Sequence, residues 1–246
     1  MRATGKCVMF VTVLGAAVVK CLMLIGYWYL SKYEEIGFWR LLFGGVEITK
    51  SKYILNVVMQ ILPDFLFYHY VCGKYIRELK ENYVYIFVRE KSLKRWMRKI
   101  SAICVFNILI YEVVTVVVLF CLGKGFHLNL IIQRGELLSI LILQFMKLLI
   151  IVFFCNILLF KFNESVAVYA NLFMQALPSF LVGVLYDAGG AWEIAVQCIP
   201  VNWCNYNYIS TLHINPIIMI VLSVILVVVM YLYSEKDCIL GGKSYD

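Results

Sequence analysis

Apolar residues in this chain gather into long blocks separated by short polar segments. Six blocks reach the length that a helix needs to cross hydrocarbon, at about 8–30, 53–73, 100–122, 137–160, 165–186 and 217–234. A core about 30 Å thick takes roughly 20 residues rising about 1.5 Å each. The pattern therefore predicts an all-α membrane protein with six transmembrane helices, forming one transmembrane domain over residues 1–246. The first block is too long for the apolar core of a signal peptide, and no small-residue cleavage site follows it, so it is read as a span. Pro216, just after Asn215, suits the first turn of the last helix, while Pro63 and Pro178 fall inside spans and are expected to kink them.

Composition agrees with the pattern. Soluble chains are about 45–50% apolar and about 25% charged, whereas this one is 63% apolar and 15% charged, with mean hydropathy +0.86. Lipid acting as solvent makes such a balance tolerable.

Basic residues set the orientation. With the N-terminus inside, the inner segments carry Arg2, Lys6, nine cations between 74 and 99, Lys161, Lys236 and Lys243, which makes fourteen. The outer segments carry six: Lys32, Arg40, Lys50, Lys52, Lys124 and Arg134. Both termini are expected on the cytoplasmic side of the cell membrane.

Six of the inner cations crowd into Arg89–Lys99, within VYIFVREKSLKRWMRKI. Read as a helix, this segment puts Leu93, Trp96, Met97 and Ile100 on one stripe, with Lys91, Lys94, Arg95 and Arg98 opposite. Such a helix is expected to lie at the membrane surface, Trp96 at headgroup level and cations toward anionic lipid. Two readings account for it: an anchor that only fixes topology, or a docking element joined to the spans on either side.

Arg89-Glu90-Lys91-Ser92, followed by Trp96 and Lys99, resembles the segment between the second and third spans of small six-span permeases. These are type-two ATP-binding-cassette exporter permeases, including those of lantibiotic immunity and antimicrobial-peptide resistance. Ile199-Pro200-Val201-Asn202-Trp203 resembles the Pro-x-x-Trp outer loop of that class, and Glu235-Lys236-Asp237 resembles its ending. Where that class often has an arginine after the Pro/Trp pattern, this chain has Asn205, Tyr206, Asn207 and Tyr208.

The resemblance implies an amphipathic cytoplasmic coupling helix between the second and third spans, and short interfacial helices before the sixth. It implies pairing with a second permease copy or a related permease, and docking of two cytoplasmic ATPase subunits. The docking surface would be Arg89, Glu90, Ser92, Leu93 and Trp96, with Pro200 and Trp203 marking the outer loop. ATP and Mg would sit on the partner ATPase, since this sequence has no GxxxxGK[ST] phosphate loop, no nucleotide-binding domain and no cofactor motif. The cargo implied is an amphipathic peptide or lipid-like molecule moved out of a bacterial cell or membrane. The competing reading is a non-transporting polytopic protein, an assembly factor or sensor partner, that docks a cytoplasmic protein through the same basic loop.

Four ionisable residues lie well inside the spans: Lys20, Asp64, Glu112 and Lys147. Each would cost roughly 2.5–3.5 kcal/mol at a helix centre if unpaired. Helical rise places three of them roughly 18–20 Å from the inner helix ends and Asp64 near 14 Å. Sequential antiparallel helices then suggest Glu112–Lys147 and Lys20–Asp64 as pairs, serving either helix register or a polar route for cargo. Gln60, Asn107, Gln144, Asn156, Asn171 and Gln175 add polar sites for helix cross-linking.

Nine cysteines include no CxxC pair, so no metal site is expected. Cys198 and Cys204 share a polar loop and could bridge if that loop is outside. Glu34-Glu35 with Arg40 is similar to the EExxxR motif of intramembrane CAAX-type proteases, but the arginine is one place too far. His69, His127 and His213 are scattered. A hydrolase needs a metal or base within reach of its nucleophile, and the sequence assembles none, so catalysis by this chain is not expected.

Overall fold

The computed structural model describes residues 2–31, 38–82, 93–125 and 134–241. Among them the chain is built of helices, with no strand. The long helices are α1 (Arg2–Ser31), α4 (Ile54–Phe67), α6 (Leu93–Gly125), α7 (Arg134–Lys161), α8 (Glu164–Asp187) and α11 (Pro216–Gly241). Short helices fill the connections: α2 (Phe38–Phe43), α3 (Ile48–Ser51), α5 (Lys74–Glu81), α9 (Trp192–Cys198) and α10 (Tyr206–Thr211). A π turn (Tyr68–Cys72) continues α4, and a 3-10 turn (Pro200–Cys204) separates α9 from α10.

Four of these helices are long and apolar enough to cross a bilayer: Lys94–Gly125, Arg134–Lys161, Glu164–Asp187 and Pro216–Ser234. Two shorter apolar stretches, Val11–Met23 and Ile54–Phe67, lie among the described residues of the first two blocks. The protein is an all-α membrane protein.

Helix ends follow local chemistry. Asn163 caps α8, its side chain accepting from the Val166 N–H at 2.9 Å. Gly189, at φ +65°, turns the chain out of the same helix, a conformation that side chains with a Cβ resist. Asn215 Oδ1 accepts from the Ile217 N–H at 3.0 Å, and Pro216 opens α11 where its missing N–H costs nothing.

Helix α7 is the centre of the assembly and packs against α6, α8 and α11. Within its most apolar window 56% of residues are buried, against 17% for α11, so α7 is ringed by protein and α11 faces outward. Leu148 to Phe153 are buried on every side, as expected of a helix with no polar face. The main core joins Val13 and Ala17 of α1, Phe67 of α4, Ile108 of α6 and the middle of α7.

The basic segment departs from the sequence expectation. From Leu93 it is no separate surface helix but the first two turns of α6, which runs unbroken to Gly125. Trp96, Met97, Ile100, Cys104, Ile108, Tyr111, Thr115 and Leu119 form one buried stripe along it. No Gly or Pro interrupts the sequence between Leu93 and Leu122, so nothing stops the helix. At 33 residues α6 is about 50 Å long, which exceeds the hydrocarbon by about 20 Å.

Candidate functional site

Four helices bring a charged cluster together at the heart of the bundle. Lys20 comes from α1, Gln60 and Asp64 from α4, Tyr111 and Glu112 from α6, Gln144 and Lys147 from α7. Gln60 and Asp64 are four apart and Gln144 and Lys147 three apart, so each pair shares one helix face.

Asp64 is the hub. Its Oδ1 accepts from Lys20 Nζ at 2.8 Å and from the Tyr111 hydroxyl at 3.2 Å. Its Oδ2 accepts from Gln144 Nε2 at 2.9 Å and faces Lys147 Nζ at 3.6 Å. The Asp64 and Lys20 side chains are only 1% and 2% exposed. Lys20 also lies 5.4 Å from the centre of the Phe43 ring and 5.6 Å from that of Tyr111, so aromatic faces cover the rest of the ammonium. Tyr111 is itself held flat against Phe67, their centres 4.1 Å apart. One carboxylate thus answers two cations and two neutral donors, which is what makes a buried ammonium and a second, partly buried one tolerable.

The expected Glu112–Lys147 pair is not formed. Lys147 turns to Asp64 instead, and Glu112 Oε1 is buried with no hydrogen-bond partner among the described residues. Antiparallel neighbours were the reason for pairing these helices in sequence, but adjacency does not fix helix rotation. Tyr111 occupies the face of α6 that looks at Asp64, and Glu112 stands about 100° further round.

The other sequence-selected residues fall in different places. Trp96 is buried in the main core, so its ring offers no exposed face for docking among the described residues. The exposed side of the same turns is Lys94, Arg95, Arg98 and Lys99. Arg89, Glu90 and Ser92 lie outside the described residues, as does the Leu93 side chain. Cys198 and Cys204 are both free thiols. Cys198 is exposed while Cys204 is buried with its sulfur 3.4 Å from Ser223 Oγ, so the bridge considered above does not form. Pro200 opens the 3-10 turn, and Trp203 staples it by donating Nε1–H to the Gln197 carbonyl at 2.6 Å.

Ion pairs tie the segments flanking α4 to the two ends of α8. Lys52 Nζ donates to Asp187 at 2.7 Å, and Arg77 Nη1 donates to Glu164 Oε1 at 3.0 Å while its Nη2 donates to the His69 carbonyl at 2.9 Å. A third pair joins Arg40 to Glu136. The hydrogen bond to Glu136 raises the pKa of Arg40, and that to Asp187 raises the pKa of Lys52.

Sequence reasoning passed over two contributors. Tyr111 was not singled out, although its place next to a membrane-embedded glutamate was a usable signal. Asn205 is the other. Its Nδ2 donates to the Val46 carbonyl at 3.0 Å, and its Oδ1 accepts from the N–H groups of Asn207 and Tyr208 at 3.1 and 3.3 Å. Asn207 Nδ2 donates to the Gly45 carbonyl at 2.7 Å. The residues that stand where the resembled class has arginine therefore clamp the 44–46 turn to α10.

Among the described residues no group of three or more His, Cys, Asp or Glu side chains could hold a metal ion. No family model, curated protein or solved structure matches the chain.

Proposed function

We propose that this chain is a six-span permease subunit of an ATP-driven exporter in the bacterial cytoplasmic membrane, with both termini inside. The two shorter apolar stretches, extended by the rest of α1 and by the π turn after α4, would supply the first and second spans. The cargo is an amphipathic peptide or lipid-like molecule, and ATP and Mg belong to a separate cytoplasmic ATPase.

One observation carries the reading. The exposed cations Lys94, Arg95, Arg98 and Lys99 and the hub donor Tyr111 lie on the same uninterrupted helix. About 25 Å of helix separates Lys94 from Tyr111. A helix transmits axial and rocking displacement with little loss, so a partner pressing on the cationic end would move a group that holds Asp64. Closure of the ATPase pair would supply that push, and the polar cluster would loosen and re-form as the spans rock. The sequence resemblance supports the same assignment from different residues.

Co-expression with an ATP-binding-cassette ATPase, taken from the neighbouring genes where one is encoded there, tests it. The wild-type chain should retain that ATPase through purification and, in proteoliposomes, export a labelled amphipathic peptide in an ATP-dependent way. Arg95→Glu with Arg98→Glu should lose both while leaving the permease folded. Retention of an ATPase-free partner protein, with no transport, would favour the assembly-factor reading.

A further inference from the structure

Beside the charge cluster, α4, α7, α8 and the 3-10 turn enclose a space of about 20 Å³, lined in part by Gln60, Lys147, Gln175, Ser179, Cys204 and Asn205. About 10–15 Å³ is enough to seat one water, provided the site offers two to four polar partners.

The polar groups around it can be sorted by what they already hold. Asn205 is engaged with Val46, Asn207 and Tyr208. The Cys204 sulfur lies against Ser223, and Gln60 has a partner of its own. The Ser179 hydroxyl donates to the Gln175 carbonyl at 3.4 Å, which leaves its oxygen lone pairs. Gln175 donates Nε2–H to Asn171 Oδ1 at 3.1 Å, but its Oε1 is buried without a partner among the described residues. Gln175 is only 2% exposed. Lys147 has three N–H groups, and Asp64 meets it only at 3.6 Å.

The site therefore asks for a ligand that accepts from an ammonium and donates to an amide oxygen, in a volume of one small molecule. An anion would meet the Gln175 oxygen, and a metal cation would meet Lys147. We propose that this cavity is a buried water site, in which one water accepts from Lys147 Nζ and donates to Gln175 Oε1, with Ser179 Oγ as its second acceptor. The water joins α7 to α8 at the depth of the charge cluster and gives Lys147 a second partner beside Asp64. Lys20 does not line this cavity, so of the two lysines Lys147 is the one that the water would hold on leaving Asp64. This assignment does not depend on the exporter reading.

Cys204 lines the cavity and Cys155, equally buried, does not, so the two thiols provide a probe and its control. X-ray hydroxyl-radical footprinting of the purified protein makes radicals from water in place, and mass spectrometry then reads each thiol. Oxidation of Cys204 should be at least about fivefold faster than that of Cys155, because ordered internal water is retained next to it. Gln175→Met, which removes the acceptor at similar volume, should bring the ratio toward one, and Gln175→Glu, which keeps an acceptor, should preserve it. Equal rates for the two thiols in the wild type would overturn the proposal whatever the variants do. So would a ratio that Gln175→Met leaves unchanged.

Discussion

Lys20 and Asp64 lie 44 residues apart in sequence and meet at 2.8 Å, with both side chains almost wholly withdrawn from solvent. Removing one partner from a buried pair typically costs about 3–5 kcal/mol, because the other charge is left uncompensated. Asp64→Ala strands two lysines and should cost at least that much. Replacing the set with apolar residues, as Lys20→Met, Asp64→Leu and Lys147→Met together, should recover most of the loss. Unfolding midpoints in mild detergent check both. If Asp64→Ala proves harmless, the hub is not a structural element.

The cationic turns of α6 have two faces with opposite expectations. Trp96→Ala removes a buried ring and should destabilise by about 3–5 kcal/mol. Arg95→Glu with Arg98→Glu changes exposed side chains and should stay within about 0.5 kcal/mol of wild type. Thermal unfolding of the isolated permease separates the two, and it also shows that loss of ATPase binding in the second variant is not loss of fold.

Two close approaches lock the connecting segments in place, one against α8 and one against the start of α10. A Cβ at Gly183 would sit 2.2 Å from the Lys52 backbone nitrogen and 2.6 Å from the Ser51 carbonyl carbon. Neither neighbour is a flexible side-chain tip, so Gly183→Ala should push α3 off α8 at a cost of about 1–3 kcal/mol. At Gly45, φ +87° adds conformational strain to a 2.7 Å contact with the Asn205 amide carbon. Gly45→Ala and Asn205→Ala should each lower the unfolding midpoint, and combining them should cost less than the sum, since both act on one clamp.

The Lys52–Asp187 pair predicts a pH effect outside the spans. Hydrogen bonding to Asp187 raises the Lys52 pKa, so the pair's contribution is fully present below the ordinary lysine value and is lost as pH rises through the raised one. Near pH 9–10 less of Lys52 is free amine than for an ordinary lysine of pKa about 10.4. Acetylation of Lys52 at that pH should be slower in the wild type than in Asp187→Asn, as followed by mass spectrometry. Equal rates would mean that the pair does not persist in solution.

Much of the fold was legible because long apolar blocks admit few structures in lipid. Each expected block contains a helix, four of them long and apolar enough to cross a bilayer, and Lys20 and Asp64 were recognisable as charges that needed partners. What the sequence could not convey was helix rotation. Glu112 and Lys147 looked like partners by depth and adjacency, yet the helix rotation that aims Tyr111 at Asp64 is fixed by packing, here the Tyr111–Phe67 stack. The same limit explains Trp96. Trp96, Met97 and Ile100 do share one buried stripe, but whether a stripe meets lipid headgroups or a protein core depends on what packs with it, and here Trp96 belongs to the same buried core as Ile76 and Leu159. Cys198 and Cys204 were near in sequence, but side-chain direction in the 3-10 turn decides against a bridge.

The account depends on the cationic end of α6 facing the cytoplasm, joined by one helix to the buried cluster. Arg95→Cys, in a chain whose nine native cysteines are replaced by alanine, can be challenged in intact cells with a membrane-impermeant thiol reagent. The thiol should stay unlabelled until the membrane is permeabilised and then react fully. Labelling in intact cells would place that end outside, where no nucleotide-driven partner could press on it.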